Sequence, residues 1–467
     1  MQVFMKNLTK KSIFWFRRDL RLHDNAGLYH ALKESKTPVL CLFIFDTDIL
    51  GYLEDKKDAR VTFLHDTLSA LQQELHALGS DLVVKYGKPI DVWNEIVENQ
   101  SLTTVYTNRD WETTAIQRDT AVAELLAQKD ISFKSYKDHV IFEKGEVTKD
   151  DGLPYTIFTP YSRKWLAKFQ SKQTTYTDAN TNETHPISFY LKPYPNEKYF
   201  SNLLKVPSNG GDLGATTPLP SLQDLGFERS NIKIPSKSVA MGLIKKYDTT
   251  RDFPAISGTS KLGIHFRFGT ISIREKAYRA SLLNATYLNE LIWRDFYASI
   301  LAYFPHVERN AFRPAYDNIA WRDDESAFQK WCDGNTGYPL VDAGMRELNA
   351  TGFMHNRVRM VVASFLSKHL LLDWRWGEAY FAKKLLDFDL ASNSGGWQWA
   401  AGCGTDAAPY FRVFNPEAQQ QKFDKDFTYI KRWIPEYGTA RYAKPIVEHK
   451  FARERCLAVY KEGLSKC

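Results

Sequence analysis

Five short apolar runs with strand character alternate with helical patterns over the first 138 residues. The runs are KSIFWF, PVLCLFIF, DLVVKY, LTTVYT and ISFKSY. Between the second and third lies VTFLHDTLSALQQELHALG, in which apolar residues recur at helical spacing. This alternation predicts a Rossmann-like, doubly wound α/β domain with a parallel sheet. No Gly-x-Gly-x-x-Gly follows the first run, so we do not expect a nicotinamide or flavin dinucleotide in this half.

The regular patterns stop after residue 138. Residues 139–216 are rich in Pro, Tyr, Asn and Thr, as in NTNETHPISFYLKPYPNEK, and predict a long connector over the surface. Beyond residue 217 long helical patterns dominate, such as LNELIWRDFYASILAYF and VRMVVASFLSKHLLLDW. We therefore divide the chain into an α/β domain (1–138), an interdomain connector (139–216) and an all-helical domain (217–467).

Composition excludes several classes of protein. No stretch reaches the roughly 18 consecutive apolar residues of a membrane span, and the N-terminus lacks the pattern of a secretory signal. The five cysteines are scattered, with no Cys-x-x-Cys and no His/Cys spacing, so we expect neither disulfides nor structural zinc. We predict a cytoplasmic monomer.

The net charge of +7 is unevenly placed, because the positive excess lies entirely within residues 236–467. A polyanionic partner would therefore bind the helical half. An excess this small is equally well explained as an ordinary solvated surface.

Tryptophan is concentrated in the helical half, which holds eight of the twelve. A single Trp is usually a core residue, but here the neighbours indicate a site. Trp293 lies three residues after Glu290 on a predicted helix, so ring and carboxylate share a face. In SNSGGWQWAAG, Trp397 and Trp399 follow a Gly-Gly pair, with the acidic DFDL just upstream. Rings beside carboxylates and small residues predict a cavity that stacks a flat, hydrogen-bonding ligand.

Two other segments have the residue types that bind anions. YDTTR (247–251) and GTSKLG (258–263) offer hydroxyls, glycines and a lysine that suit phosphates, although such loops are usually only loops. HNRVRM (355–360) opens an apolar helix with two arginines in its first turn. Cations there oppose the helix dipole, so they require an anionic partner, either a buried aspartate (Asp387 or Asp389) or a DNA phosphate.

Longer motifs carry a resemblance to a known family. The chain resembles the photolyase/cryptochrome flavoproteins, from near residue 12 to PIVEHKFAR near its end. The matching motifs are WFRRDLRLHDNAGL (15–28), YTIFTPYSRKW (155–165), GTSKLGIHFRFGTIS (258–272), LNELIWRDFY (288–297), TGYPLVDAGMRELNATGFMHNRVRMVVASFL (336–366) and DFDLASNSGGWQWAAGCGTDAAPYFRVFNP (387–416).

Within the family the chain looks most similar to class I cyclobutane pyrimidine dimer (CPD) photolyases. Asn356 and Met360 stand where (6-4) photolyases and animal cryptochromes have histidines. Asn393 stands where plant cryptochromes have Asp. The GWQW segment is intact, whereas the DASH branch has a GNW-type segment there.

The resemblance implies a U-shaped FAD in the helical domain, active when reduced. Residues 259–263 and Tyr247 should hold its diphosphate, and Asn393 should face flavin N5, where a neutral amide suits a reduced, anionic flavin. Gly263 departs from the Ser common in the family, which removes one hydroxyl contact. Arg359 should pair with Asp387. The cofactor-binding residues carried over are Tyr247, Thr259, Ser260, Lys261, Leu262, Gly263, Arg359, Asp387, Phe388, Asp389 and Asn393.

The resemblance also implies light-driven repair, in which photoexcited reduced FAD transfers an electron to a dimer flipped out of DNA. Flipping costs least for a damaged base that already pairs badly. Trp293 and Trp399 should form the walls of the dimer pocket, Glu290 and Asn356 its polar contacts, and Met360 its closure. Asn393 completes the implied catalytic set.

Three arginines, Arg251, Arg357 and Arg412, match positions at which the family contacts DNA. Trp397, Trp374 and Trp321 match the family chain that reduces the flavin under light. The α/β domain of the family commonly carries an antenna pigment, methenyltetrahydrofolate or 8-hydroxydeazaflavin, and the motifs do not select between them. Arg21, Asp24 and Asn25 of the RRDLRLHDN signature are expected to fix local structure.

A cryptochrome-type blue-light photoreceptor that signals through partner proteins is the alternative function. The chain stops soon after PIVEHKFAR, without the long extension common in receptors, and this favours repair. A third interpretation, a flavin-binding DNA module without catalysis, would require the dimer pocket to be filled.

Overall fold

The computed structural model describes residues 10–177, 184–206 and 218–466. The chain forms two compact units, each assembled from three segments. We call Met1–Ile141, Lys172–Lys237 and His265–Tyr278 the α/β unit. Phe142–Ser171, Ser238–Ile264 and Arg279–Cys467 form the helical unit. The residue 216/217 boundary predicted from the sequence lies outside the described residues, and the three-domain division stays a prediction.

A parallel five-stranded sheet organises the α/β unit, with strand order β3-β2-β1-β4-β5. Each strand coincides with one of the five predicted runs, so the predicted α/β fold is confirmed. The elements are β1 (Lys11–Phe16), α1 (Ala26–Glu34), β2 (Val39–Asp46), α2 (Thr47–Leu50), α3 (Ala59–Ala77), β3 (Leu82–Gly87), α4 (Pro89–Asn99), β4 (Leu102–Asn108), α5 (Thr113–Ala127) and β5 (Ser132–Tyr136).

Both faces of the sheet are buried. On β1, Phe14 and Phe16 belong to one apolar cluster, while Ile13 and Trp15 belong to another. Successive side chains of a strand point to opposite faces, so the continuous apolar runs follow from the two covering layers of helices.

Buried ion pairs hold the RRDLRLHDN segment in the α/β unit. Arg21 donates to Asp138 at 2.8 Å, and Arg274 donates to Asp24 at 2.9 Å and to Asp138 at 2.8 Å. Asn25 caps α1 by accepting from a backbone N–H. The local structural role predicted for Arg21, Asp24 and Asn25 is therefore confirmed.

Helices dominate the remainder of the chain, as predicted. A two-stranded antiparallel sheet, β6 (Gln173–Thr177) with β7 (Thr184–Ser188), belongs to the α/β unit. Helices α9 and α10 each include residues of both units. The helices are α6 (Phe158–Ser171), α7 (Met241–Lys245), α8 (Tyr247–Thr250), α9 (Gly263–Phe268), α10 (Ile273–Leu283), α11 (Ala285–Tyr303), α12 (Glu325–Cys332), α13 (Pro339–Thr351), α14 (Asn356–Ser364), α15 (Trp374–Lys384), α16 (Leu390–Ala401), α17 (Pro416–Phe423), α18 (Thr428–Trp433) and α19 (His449–Leu464).

Helix α16 lies at the centre of the helical unit, where α11, α14 and α15 pack against it. Glycines allow this close packing. A Cβ at Gly395 would lie 2.2 Å from the Tyr297 ring of α11, and one at Gly377 of α15 would lie 2.1 Å from the Trp397 ring. Gly395, the first glycine of the SNSGGWQWAAG segment, therefore serves helix packing.

The predicted apolar helix from 358 to 374 is not uniform. α14 ends at Ser364 and continues as one π-helical turn, Phe365–His369. This wider turn buries two basic side chains: Lys368 donates to the Arg412 carbonyl at 2.9 Å, and His369 Nε2 shares a 2.8 Å hydrogen bond with His449 Nδ1. π-turns often mark functional segments.

Residues 158–171, which we placed in the connector, form a helix with a buried face. Phe158, Tyr161 and Trp165 of α6 are each at most 7% exposed. Trp165 donates its indole N–H to Asp295 of α11 at 3.0 Å. Within the described ranges, the helices all fall short of the length and apolarity that crossing a membrane demands.

Candidate functional site

One side of α16 has open space near the middle of the helix. Asp389 caps this helix by accepting from the Ser392 N–H at 3.2 Å, and Gly402 ends it with φ of 93°. Gly396 is exposed, and a Cβ added there would have no neighbouring atom within 4 Å. The next residue, Trp397, is buried, so the helix presents open space directly beside the core.

The predicted phosphate-binding loop (258–263) contacts Asp387, one of the two predicted carboxylates. A Cβ at Gly263 would lie 2.5 Å from the Cβ of Asp387, so only glycine fits this backbone approach. Asp387 in turn accepts two hydrogen bonds from Arg359, at 3.0 and 3.1 Å. The predicted Arg359–Asp387 pair is confirmed, and the Ser that the family commonly has at position 263 would collide with it.

Aromatic residues lie on the other side of the same loop. The Tyr287 hydroxyl donates to Ser260 at 3.1 Å, and the Tyr287 ring meets that of Tyr247 edge-on at 5.0 Å. Lys261 has a positive φ of 52° and lies over the Phe353 ring at 4.4 Å. Thr259, Leu262 and Phe388 complete the predicted set, with Leu262 buried and the other two half-buried.

His355 presents a buried donor without a partner in this region. Its Nδ1 accepts the Arg357 backbone N–H at 3.2 Å, which places the ring proton on Nε2. Nε2 is buried and makes no hydrogen bond to any residue that the structure describes. Burial, with help from Arg359, lowers the pKa of His355 to about 4. Buried polar atoms are normally satisfied, so this donor fits an acceptor on a bound ligand.

Asn393 is held by a carboxyl group on α15. Its amide nitrogen donates to Glu378 Oε1 at 2.7 Å and to the Glu378 carbonyl at 3.1 Å. Both contacts use the nitrogen, so the amide oxygen is left for another group. Burial raises the pKa of Glu378, which the Asn393 hydrogen bond opposes.

The residues predicted at the dimer pocket and the DNA backbone are linked by charge. Glu290 forms an ion pair with Arg251, and Arg357 donates to Asp252 at 2.8 Å. The partner of Arg357 is therefore Asp252, an aspartate that was not considered from the sequence. Burial raises the pKa of Glu290, and Arg251 opposes that rise.

The two predicted pocket rings lie in separate aromatic groups. Trp293 stacks on Phe158, whereas Trp399 faces Phe414 at 6.4 Å, and Arg412 lies over the same Phe414 ring at 5.2 Å. Asn356 and Met360 are also predicted at the dimer pocket. Asn356 is the first residue of α14, and Met360 follows the first turn of that helix. Asn356 is exposed there, and Met360 Sδ lies 3.5 Å from Arg357 Nη1.

The three tryptophans predicted for electron transfer share one region. Trp397 and Trp374 are buried in the same apolar core, and Trp321 packs against it. Arg322 N, next to Trp321, bonds the Leu371 carbonyl at 2.8 Å, three residues before Trp374. Trp397 contacts the ring of Phe381 at 5.0 Å and that of Trp331 at 6.0 Å, and sequence reasoning selected neither.

Comparison with known families identifies the class. A model of DNA photolyase matches residues 12–181, and a model of the FAD-binding domain of DNA photolyase matches residues 287–440. The chain belongs to the photolyase/cryptochrome family and is an FAD-binding enzyme of the photolyase class.

Individual relatives make the match more specific. A deoxyribodipyrimidine photo-lyase of Halobacterium salinarum is 36% identical, over 97% of this chain and 99% of that protein. A protein of the same name from Vibrio cholerae is 34% identical, over 96% of this chain and 99% of its own length.

Solved structures agree in fold. A class III photolyase from Agrobacterium tumefaciens has a TM-score of 0.79 at 30% identity, with complete coverage of both chains. An archaeal photolyase from Sulfolobus tokodaii, with two FAD molecules, has a TM-score of 0.77 at 33% identity, covering 97% of this chain and 100% of that one. A Synechocystis cryptochrome has a TM-score of 0.79 at 25% identity, with the same coverage.

The residues present fit FAD. Open space at Gly396 accepts a flat ring, and the Arg359–Asp387 pair lies against the Gly263 backbone. The unpaired His355 Nε2–H offers a donor. Sequence reasoning missed Asp252, Glu378, Phe158 and Trp331. Asp252 lies 105 residues from its partner Arg357, so no local signal identifies it, whereas Glu378 is only 15 residues from Asn393.

Proposed function

We propose that the protein repairs cyclobutane pyrimidine dimers in DNA with light. Photolyase chemistry at the level of the family is established by the relatives; the CPD substrate and the residue roles are our proposal. The observation that carries it is the placement of Glu290 and Trp293 on one face of α11, both half-buried and both accessible to a ligand.

In this proposal the helical unit receives the flipped-out dimer. Trp293 and Trp399 supply apolar walls, and Met360 closes the pocket. Glu290 and Asn356 hydrogen-bond the pyrimidines, since a protonated carboxyl can donate to a carbonyl oxygen whose charge grows during the reaction. Asn356 and Met360, in place of histidines, favour a CPD over a (6-4) lesion.

FAD, when bound and reduced, supplies the electron that light drives into the dimer and takes it back after the ring opens. Asp387 and Asp389 border the polar edge of its site, with Tyr247, Phe388 and residues 259–263 around the remainder. Arg359 neutralises the charge of Asp387, so the negative charge that these two aspartates bring to the site is lowered by one. Asn393 offers a neutral amide oxygen, because Glu378 holds its nitrogen.

Three tryptophans form the proposed route for reducing the cofactor. Trp397 of α16 lies in the apolar core with Trp374, and Trp321, which packs against that core, is half-buried and so gives the route an end near solvent. Arg251, Arg357 and Arg412 contact the phosphates that flank the lesion, which positions the strand without reading its sequence. Monomeric state and cytoplasmic location stay predictions.

The decisive experiment uses an oligonucleotide with one defined thymine CPD, dithionite-reduced protein, and blue or near-UV light against darkness. We expect light-dependent repair of the CPD and none of a (6-4) control lesion. Absence of CPD repair by fully reduced, FAD-loaded protein would contradict the proposal.

A photoreceptor function is the second candidate, favoured by the likeness to the Synechocystis cryptochrome. It predicts no repair and a partner protein that binds only after illumination. Pull-down from dark and illuminated samples, run beside the repair assay, separates the two functions.

The α/β unit is the proposed place for an antenna pigment. The archaeal relative with two FAD molecules is described with a novel light-harvesting cofactor, which adds FAD to the folate and deazaflavin considered from the sequence. Absorbance and mass of the chromophores released from purified protein identify the pigment.

A further inference from the structure

Two carboxylates and two arginines alternate in the helical unit, in the order Glu290, Arg251, Asp252, Arg357. We call this set the charge chain. Arg251 Nη1 binds Glu290 Oε1, Arg251 Nε lies 4.0 Å from Asp252 Oδ1, and Arg357 Nη2 donates to that same Asp252 oxygen at 2.8 Å. Exposed fractions of the four side chains lie between 20% and 39%.

The charge chain is electrically balanced, because each arginine has a carboxylate of its own. A guanidinium binds phosphate as readily as carboxylate, with the same planar fork of donors. A DNA strand that brings a phosphate to Arg251 therefore competes with Glu290 for the same N–H groups.

Arg251 favours the ionised form of Glu290. Burial of Glu290 disfavours the charged carboxylate, and Arg251 is the group that opposes this effect, by charge and by hydrogen bond. Asp252 acts in the other direction, since its negative charge favours a protonated Glu290. Removal of the guanidinium would leave a partly buried carboxylate without its cation, and such groups take up a proton.

We infer that Glu290 takes up one proton from solution when Arg251 leaves it for a backbone phosphate of the damaged strand. The inference rests on the proposed function. One carboxylate–guanidinium contact breaks, one guanidinium–phosphate contact forms, and a solvent proton forms one O–H bond on the carboxyl; no electron moves. DNA binding thereby converts Glu290 from an acceptor into a donor for a pyrimidine carbonyl.

Other titratable groups around Glu290 do not supply this proton change. Asp252, which faces Arg251 and Arg357, is more exposed to water than Glu290, at 39% against 28%, and so does not need a cation in the way that Glu290 does. The phenols of Tyr247, Tyr287 and Tyr297 stay neutral, because burial raises the pKa of each above its ordinary value.

Proton uptake is measured by calorimetry of a CPD duplex binding to the FAD-loaded protein, in buffers of different ionisation enthalpy, from about pH 5 to about pH 8. We expect uptake that approaches one proton within this range, above that of an undamaged duplex. Affinity for the lesion should then rise as pH falls, by up to about tenfold per pH unit.

Two variants should abolish the uptake for opposite reasons. Glu290→Gln has no proton to gain, and Arg251→Gln has no arginine to move away from Glu290 when DNA binds. The exposed Arg441→Gln, which also removes one positive charge, should keep the wild-type uptake.

Tight lesion binding without proton uptake would overturn the inference, as would wild-type uptake in either Glu290→Gln or Arg251→Gln. In the Arg251→Gln case the proton would come from burial by the dimer and not from the departure of the arginine. Light-dependent repair, assayed on the same preparation, shows separately whether the proposed function holds.

Discussion

The Phe158 ring lies flat on the Trp293 ring, with centroids 3.6 Å apart and planes 5° apart. Tyr297 covers a further part of Trp293, at 5.4 Å with a 32° tilt. A ligand can therefore meet only the surface of the indole that these two rings leave uncovered. α6 holds the tryptophan in one orientation from behind.

Replacing Phe158 by Leu should weaken lesion binding as well as stability. Loss of the stacked pair should cost about 0.5–1.5 kcal/mol of unfolding free energy, and Trp293 would no longer be fixed. Urea denaturation and fluorescence anisotropy with a CPD duplex measure the two effects. Phe169→Leu is the matched control: this equally buried ring of α6 stacks on Trp165, so it should lose similar stability and keep lesion affinity. Equal affinities of both variants would contradict the support role.

Gly396→Ala should separate cofactor binding from stability. Its methyl group meets open space in the protein, so flavin-free stability should stay level or rise by about 0.5–1 kcal/mol from helix propensity. FAD content, measured by the ratio of flavin to protein absorbance, should fall. Gly377→Ala is the contrast, since its Cβ would strike Trp397 and cost about 1–3 kcal/mol. Full FAD content in Gly396→Ala would show that the open side of α16 at Gly396 is not part of the cofactor site.

Trp321→Phe should impair light-driven reduction of the flavin and leave repair intact. Electron supply to the cofactor and repair by reduced cofactor are separate steps, and only the first uses this residue. Photoreduction is followed by flavin absorbance, and repair by turnover of a CPD oligonucleotide with enzyme reduced beforehand. Poor repair by the chemically reduced variant would refute the separation.

Acidification should destabilise the protein through His369. Burial lowers its pKa from 6.5 to about 3, with a further contribution from His449. A depressed histidine pKa means that the unfolded chain binds the proton more tightly. Stability is therefore complete above about pH 6.5 and is lost as pH falls towards about 3, by up to about 1.4 kcal/mol per pH unit. Urea midpoints at successive pH values test this, and His369→Gln should flatten the profile. An unchanged slope in that variant would assign the effect to another group.

The sheet and most long helices follow directly from the sequence, because apolar periodicity and burial agree there. Helix α6 was not predicted from the sequence, and the reason lies in its own residues. Phe158, Tyr161, Trp165 and Phe169 have helical spacing, but Thr159 and Pro160 in the first turn resemble a loop. Proline is tolerated at that end of a helix, so it did not break the structure.

The contacts of the candidate site likewise include some that could be predicted from the sequence and some that could not. The Arg359–Asp387 pair was expected from the family motifs, whereas the Asp252–Arg357 pair was not, because 105 residues separate its members. Periodicity carries no information on which surfaces meet across such distances. The π-turn at Phe365–His369 likewise depends on the partners of Lys368 and His369, which lie on other segments.

The ion pairs of Arg274 can form only late in the synthesis of the chain, because their aspartates are made long before the arginine. Asp24 and Asp138 are buried and bind Arg274, which is 250 residues beyond Asp24. A nascent chain that has emerged only as far as β5 has all five strands but lacks this cation. The α/β unit therefore reaches its final state only after more than half of the protein has left the ribosome, and a fragment cut just beyond Asp138 retains both acids but lacks Arg274.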